Sequence, residues 1–366
     1  MFPREVISTG PLILRPPAER DVEAQVRACA DPETVRFLPE LPVPYTAQDA
    51  RDYLRTAEAK WRDGGAEFTV TGADGGFLGS IGLRPPDVRG NVEIGYAVAP
   101  WARGRGVATT AARAVTDWAF GHGVGRVELL AELENLASLR VAYAAGFTQE
   151  GRLRRARTLR DGRRADLVSF GRLAGEGEAV FEPYLPFFAD GYLSDGVVRL
   201  APMTVGDAAD FSRMLAVPSV SAYTLGPPTT PEEDEQRCRH TGWWWLSGQR
   251  LEVSLREEES GAFAGHLQLS QVVPVFGQAM VGYSLMPDFR GKGLMTRAVR
   301  MLVAWAFENT ALHRIVAGTD VGNLASQRVL ERAGFSREYV VRELFPREDG
   351  SWADDVEWLR LRPEAK

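Results

Sequence analysis

The sequence is poor in cysteine, histidine and lysine, and each shortage removes a class of explanation. Its 366 residues hold two cysteines, Cys29 and Cys238, and four scattered histidines, His122, His240, His266 and His313. Two thiols build no disulfide framework, and no Cys or His falls at a metal-ligand spacing, so no metal is expected. Cysteine usage fits a reduced, cytoplasmic setting. No run of about 18 apolar residues occurs, which argues against a membrane span. The opening "MFPREVISTG" places Arg4 and Glu5 where a secretory leader would be apolar. Lysine occurs only as Lys60, Lys292 and Lys366, with arginine supplying the other basic groups, which reads as the base-composition bias of a GC-rich genome. A strong charge of one sign is missing too. The net of −6 divides into +2 over 1–173 and −8 over 174–366, and neither half is basic enough to predict nucleic-acid binding on charge alone.

What the chain does have is length for two domains, an ordinary apolar content of 45%, and one design written twice. "WARGRGVATTAARAVTDWAF" (101–120) is matched by "DFRGKGLMTRAVRMLVAWAF" (288–307). Upstream, "VEIGYAVAP" faces "MVGYSLMP". Downstream, "ENLASLRVAYAAGF" faces "GNLASQRVLERAGF", and later "LRDGRRADLVSF" faces "PREDGSWADDVEW". The offset stays at 187 or 188, so a whole domain is duplicated and the period is not that of a solenoid. The expected division is a domain over 1–173, a linker over 174–195 and a second domain over 196–366. The linker carries the aromatic segment "FEPYLPFF", too apolar for a free tether and expected to pack between the domains.

Each copy reads as strands and helices in the same order. In the first, "LILRPP" is a strand, 19–30 and 47–63 are helices, and "AEFTVTG", "FLGSIGL" and "NVEIGYAV" are strands. A helix over 104–121 presents Val107, Ala111, Ala114, Val115 and Trp118 on one face; the second copy repeats this with Leu294, Ala298, Met301, Leu302 and Trp305. A strand follows, then a short helix from Asn135 or Asn323 to the C-capping Gly146 or Gly334, then two closing strands.

The knot "RGRG" or "RGKG" joins a strand to a helix. Glycines there leave backbone N–H groups unpaired and convergent, and the helix N-terminus adds about half a positive charge, which together cradle a phosphate. Arg103 and Arg105, or Arg290 and Lys292, add charge at the rim. The Gly-Lys-Ser/Thr ending of a nucleoside-triphosphate loop is absent, and the mid-domain position after antiparallel strands is wrong for a first-unit dinucleotide fingerprint.

With these residues in view, "IGYAVAP", "RGRGVA" and "NLAS…AGF" resemble the GNAT superfamily of acyl-CoA N-acyltransferases, closest to the RimJ/RimL type, over both copies almost end to end. The Arg/Gln-x-x-Gly-x-Gly/Ala signature is met by Arg103, Gly106 and Ala108. In the second copy Arg290 and Gly293 match, and Met295 takes the small-residue slot, where it would narrow the pyrophosphate site. The resemblance implies an α+β (α/β sandwich-like) fold: two tandem GNAT domains, each a splayed, mixed, mostly antiparallel seven-stranded sheet with helices on both faces. It implies acetyl-CoA or another acyl-CoA as donor. The pyrophosphate would sit on the amides of Arg103, Gly104, Arg105, Gly106, Val107, Ala108 and Thr109, and of Arg290, Gly291, Lys292, Gly293, Leu294, Met295 and Thr296. The pantetheine arm would pair with the backbone at Ala97, Val98 and Ala99, and at Leu285 and Met286.

Amide formation from a thioester needs a neutral amine, a donor for the oxyanion and, to a lesser degree, an acid for the thiolate. Glu93, on the strand before the knot, is the candidate base; the alternative is a strand glutamate paired with an arginine. Met280 takes its place in the second copy, where Glu343 is a conceivable substitute. Asn135 and Asn323 read as helix N-caps and, by resemblance, as ligands of the pantetheine arm, two roles that can hold together. Ser138 and Ser326 read by resemblance as proton donors to the thiolate, or else as structural residues of a first turn. Tyr143 is one place off the tyrosine many relatives use and about 100° around the helix, so it takes no acid role.

The resemblance implies an amine acceptor, either a small molecule or a protein N-terminus. "GRLRRARTLRDGRR" (151–164) holds seven arginines and would suit an acidic carrier protein or RNA, or is a solvated hairpin. "GWWWLSG" is expected to place one or two tryptophans at the cleft or the domain seam and at least one in the core. Three functions therefore stand: acyl transfer from CoA, more readily in the first copy; transfer from a carrier-protein or aminoacyl-tRNA donor; or a non-catalytic CoA- or partner-binding module.

Overall fold

The computed structural model describes residues 2–177, 182–224, 226–347 and 350–364. The chain divides into two compact units, Met1–Phe181 and Glu182–Lys366. Each is built on one mixed sheet.

In the first unit the order is β1 (Ile7–Thr9), β2 (Leu12–Arg15), α1 (Val22–Cys29), α2 (Pro32–Phe37), α3 (Ala47–Arg62), β3 (Ala66–Gly72), β4 (Phe77–Leu83), β5 (Val92–Val98), α4 (Val107–Gly121), β6 (Arg126–Glu132), α5 (Leu136–Ala144), β7 (Thr148–Thr158) and β8 (Arg164–Leu173). The second unit repeats it as β9 (Leu193–Ser194), β10 (Val198–Pro202), α6 (Ala208–Leu215), α7 (Pro218–Ser221), α8 (Pro231–Leu246), β11 (Leu251–Glu257), β12 (Phe263–Val273), β13 (Gln278–Leu285), α9 (Leu294–Asn309), β14 (Arg314–Asp320), α10 (Leu324–Arg332), β15 (Ser336–Pro346) and β16 (Trp352–Leu361).

The sheets run β1-β2-β3-β4-β5-β6-β8-β7 and β9-β10-β11-β12-β13-β14-β16-β15. Each has eight strands rather than the expected seven, because the chain enters through a short hairpin, β1–β2 or β9–β10. All neighbours are antiparallel except β5–β6 and β13–β14. Those parallel pairs are short. β5 meets β6 only through Val92↔Val127, Glu93↔Glu128 and Ile94↔Leu129, and β13 meets β14 only through Gln278↔Arg314, Ala279↔Ile315 and Met280↔Val316. Beyond them the strands part and each sheet opens into a wedge.

The pleat sorts side chains between two faces. In the first unit α4 and α5 cover one face and α1 and α3 the other. The apolar face of α4 is rotated slightly from the expected one: Val107, Ala111, Ala112, Val115 and Ala119 are buried, while Trp118 is half-buried and stacks on Phe2 at 4.7 Å. The helix starts at Val107, not 104, since the knot lies outside it.

Of the expected linker, residues 178–181 lie outside the described residues. The aromatic segment after them belongs to the second unit's own core: Leu185 and Phe188 are buried there, Trp245 stacks on Phe187 at 4.8 Å, and Trp245 Nε1 donates to Leu185 O at 3.1 Å. Trp245→Ala should therefore cost the second unit about 3–5 kcal/mol, read as a lower urea midpoint of one unfolding transition; an unchanged midpoint would contradict this placement.

Candidate functional site

The wedge, the knot and the start of the short helix meet at one end of each sheet. In the knots Gly104 and Gly106 have φ of +74° and +73°, and Gly291 and Gly293 have +76° and +74°. An L side chain rarely adopts that region, and the space over all four is open. The first helical carbonyl bonds are Thr110 N to Gly106 O at 3.0 Å and Arg297 N to Gly293 O at 3.2 Å. Among the described residues no backbone carbonyl accepts from Gly104, Arg105 or Gly106, or from their counterparts Gly291, Lys292 and Gly293. The amides of Val107, Ala108 and Thr109, and of Leu294, Met295 and Thr296, are the orphan donors of a helix start. Each knot is thus a ring of free N–H groups.

The basic residues of the knot divide their work. Arg103 is drawn to α2, bonding Asp31 Oδ2 at 2.5 Å, Glu33 Oε2 at 2.8 Å and Thr34 Oγ1 at 2.8 Å. Arg290 likewise reaches back, to Ser219 Oγ on α7 at 3.0 Å and to Leu285 O. These two brace the loop. Arg105 and Lys292 stay exposed at its mouth, Lys292 beside the Phe289 ring at 5.1 Å. In the second unit Lys292, Gly293, Thr296, Arg297, Arg300, Met301, Arg332 and Asp195 line a groove of about 630 Å³. Met295 does not narrow this site: it is buried in the core under α9.

On the strand side, Ser80↔Ala97 and Gly79↔Val98 pair β5 to β4, and Ala99 N donates to Leu78 O at 2.9 Å. Leu285 pairs with Gly265 and Met286 N donates to Ala264 O at 2.9 Å. The other edge of each strand faces the wedge, where β6 or β14 has departed.

Asn135 and Asn323 are N-caps: their Oδ1 atoms accept from Ser138 N at 3.0 Å and Ser326 N at 3.1 Å. The serines point back across the wedge. Ser138 Oγ lies 2.8 Å from Tyr96 Oη, and Ser326 Oγ lies 2.8 Å from Tyr283 Oη. Each phenol also donates to the same serine's carbonyl at 3.2 Å. Burial pushes both phenols well above their ordinary range, so they stay protonated. Tyr96 and Tyr283 did not stand out in the sequence, where "GY" reads as an ordinary strand pair; their recurrence in both copies was the available signal.

Glu93 lies on the opposite face, level with Glu128, and its Oε1 is 3.1 Å from Arg84 Nε. Its carboxylate is partly exposed, at 30%. Glu343 stands exposed on a bulge with φ of 50°, its amide bonded to Asp354 Oδ1 at 2.8 Å. The same face carries a buried glutamate in each copy. Glu67 bonds Tyr53 Oη at 2.7 Å and Lys60 Nζ. Glu252, fully buried, is held by Arg237 at 3.1 Å, Arg250 at 3.0 Å and His266 at 3.2 Å. Burial opposes its charge, but the His266 bond and the two guanidiniums prevail and hold its carboxyl at about 2. Burial keeps His266 below its ordinary value.

The arginine hairpin is largely satisfied internally. Arg152 is 3.6 Å from Asp166, Arg157 is 3.4 Å from Glu132, Arg163 is 2.8 Å from Asp161, and Arg160 bonds Leu41 O at 2.5 Å. Trp243 and Trp245 are buried, and half-buried Trp244 carries Arg250 over its ring at 5.0 Å. Among the described residues no group of three or more His, Cys, Asp or Glu could hold a metal, and no helix is long and apolar enough to cross a membrane.

A family model described as the acetyltransferase (GNAT) domain matches residues 11–148 and again 198–336. The chain is 41% identical over 148 residues to YjcK of Bacillus subtilis, a probable N-acetyltransferase, covering 36% of this chain and 81% of that one. It is 28% identical over 139 residues to the ribosomal protein uS5-alanine N-acetyltransferase of Escherichia coli, covering 35% and 71%. Among solved structures, the ribosomal-protein-S5-alanine acetyltransferase of Vibrio fischeri aligns over 48% of this chain and 98% of its own, with a TM-score of 0.44 and 22% identity.

Glu252→Gln leaves Arg237 and Arg250 facing no charge and should cost about 3–5 kcal/mol at neutral pH. Because the carboxyl is depressed from 4.5 to about 2, its stabilisation is present above the ordinary value and lost as pH falls through about 2. The gap between native and variant urea midpoints should therefore close below pH 3; a gap independent of pH would refute the assignment.

Proposed function

The chain belongs to the acetyltransferase (GNAT) domain family, is an acyltransferase carrying that domain twice, and on this premise we propose that it moves an acyl group, acetyl by preference, from CoA to a primary amine by direct attack on the thioester, the N-terminal copy being catalytic. The observation that carries the reading is the ring of unpartnered N–H groups at a helix start, beside a sheet that opens where an extended arm would enter. The amides of 104–109 would take the diphosphate, with Arg105 adding charge. The free edge of β5 would pair with the arm, bringing the thioester to the wedge.

The two faces of the sheet then divide the chemistry. Glu93, on the α3 side, takes a proton from the ammonium, directly or through water, leaving a lone pair for attack. Ser138, on the α5 side and bonded to Tyr96, hands the departing sulfur its proton. A base and an acid on opposite sides of the reacting carbonyl suit a reaction whose two proton transfers occur on different atoms. One relative is an alanine N-acetyltransferase of ribosomal protein uS5, which supports a protein amine as acceptor. An acidic carrier or RNA at the 151–164 hairpin has less support, because Arg152, Arg157 and Arg163 already face carboxylates.

Calorimetry should find two acetyl-CoA molecules per chain, and Gly291→Val with Gly293→Val should remove one of them by denying the second knot its positive φ. In that background Glu93→Gln should lower kcat toward an alanine-terminated peptide at least about a hundredfold with acetyl-CoA affinity unchanged. Unchanged turnover would remove Glu93 as base; no acetyl-CoA bound by the native chain would remove the reading itself.

A further inference from the structure

The second copy lacks a carboxylate where Glu93 stands, since Met280 occupies that place on β13. It carries others on the same face, Glu252, Asp320 and Asp355 among them. Asp355 on β16 lies opposite Asp320 of β14, in the register that places Leu167 opposite Glu132 in the first copy. Asp320, Gly318 and Val316 alternate on β14, so Asp355 shares the face of Val316 and of Met280, its partner in the last pair before the wedge. That is the face of Glu93 in the first copy.

The Asp355 carboxylate leans over Gly318. A Cβ at residue 318 would come within 2.5 Å of Asp355 Oδ2, so the acid occupies space that only glycine leaves. Gly318 is two residues past Val316, about 7 Å along the strand into the wedge. Asp355 is 1% exposed, and neither carboxylate oxygen has a hydrogen-bond partner among the described residues. A buried carboxylate with no donor is costly, and a packing role would be filled better by the leucine of the first copy.

We propose that Asp355 is the general base of a second acyl-transfer centre in the C-terminal copy, acting on the acceptor amine from the face opposite Ser326 and Tyr283. The inference rests on the acyl-transfer reading above and extends it to this copy. Asp355 takes one proton from the ammonium. The freed nitrogen attacks the thioester carbonyl, forming the C–N bond; the C–S bond breaks with its electron pair on sulfur, and the second nitrogen proton passes to sulfur through Ser326 Oγ. The products are the amide, the CoA thiol and the proton held by Asp355.

The charges around Asp355 suit it to this. Burial, then Glu357 on the same strand and Asp320 opposite, push its carboxyl up to about 7. Asp320 itself is paired with Arg347 at 3.0 Å, and Arg314 bonds Glu338 near Glu357. Asp355 would thus be a base near neutrality, strong enough to take an amine proton and ready to release it.

The test uses the full chain with Gly104→Val and Gly106→Val, so that acetyl-CoA enters only the second copy. Acceptors are an alanine-terminated peptide, largely an ammonium at neutral pH, and hydroxylamine, already neutral there. Asp355→Asn should lower peptide turnover at least about a hundredfold and abolish the ionisation near 7 in its pH profile, with transfer to hydroxylamine and acetyl-CoA affinity nearly kept. Asp355→Leu should do the same, and both variants should melt higher than the parent at pH 8 and gain less at pH 5, because a carboxyl raised in the fold weakens the fold as pH rises through about 7. Peptide turnover with the ionisation intact in Asp355→Asn, or equal losses on both acceptors, would overturn the proposal. No transfer by the Gly104→Val/Gly106→Val chain, where the native chain is active, would overturn it and leave the first copy's role standing. Inactivity of the native chain would sink both.

Discussion

A parallel strand pair that stops after three residues leaves peptide groups in the middle of a sheet with nothing to bond. In the first copy this happens at Ile94 and Leu129, in the second at Met280 and Val316. Buried backbone groups are rarely left unpaired, so such an opening is either flooded by water or filled by an extended molecule. The rest of each unit is arranged around that opening. The knot places its free amides where β5 or β13 ends, the short helix starts where β6 or β14 ends, and a tyrosine–serine bond spans the gap. Without the parting of the strands, these features would be an ordinary loop, an ordinary N-cap and an ordinary buried phenol.

The knots show how charge is distributed around such an opening. Both contain two basic residues, and treating them as equivalent contacts for a phosphate fails on geometry. Arg103 spends its guanidinium on Asp31, Glu33 and Thr34, and Arg290 spends part of its own on Ser219 and Leu285 O. These bonds tie the loop to the preceding short helix and fix the direction of its amides. Arg105 and Lys292 keep their charges exposed at its mouth. The rim thus separates a bracing residue from an exposed one, a distinction the spacing R-G-R-G contains and conceals.

The duplication, the order of the longer elements, the knot glycines and the asparagine N-caps were legible in the sequence because they depend on local rules: helical period, the positive φ that only glycine takes cheaply, and asparagine at an N-cap. The extra hairpin strands β1 and β9 were missed, being three and two residues long. The segment at 182–188 was misplaced because apolar composition says that a segment packs, not on what; the Trp245 indole, bonded to Leu185 O, decides it. Met295 looked like an intruder on the knot only while its side chain could point either way; in the first turn of α9 it turns inward. Asp355 was invisible for a related reason. In "SWADDVEW" two aspartates stand side by side, and which one is buried depends on strand register. Asp354 caps the bulge at Glu343, and Asp355 faces the sheet.

The two faces of the wedge have diverged unequally. On the side of α5 and α10 the copies agree almost atom for atom: Asn to Ser amide, Ser hydroxyl to Tyr hydroxyl, Tyr hydroxyl to Ser carbonyl. On the side of α3 and α8 they share a buried glutamate and little more. Glu67 meets Tyr53 and Lys60 over Gly82, where a Cβ would come within 2.4 Å of its Oε2. Glu252 meets Arg237, Arg250 and His266, with Gln268 in the place of Gly82, paired across the strands to Glu252 as Gly82 is to Glu67. The acids of that face change strand as well: Met280 stands in the place of Glu93 on β5, and Asp355 on β16 stands in the place of Leu167 on β8. The sheet between the two faces keeps its register in both copies, so the charges and polar side chains of one face have changed together while the hydrogen bonds of the other persist.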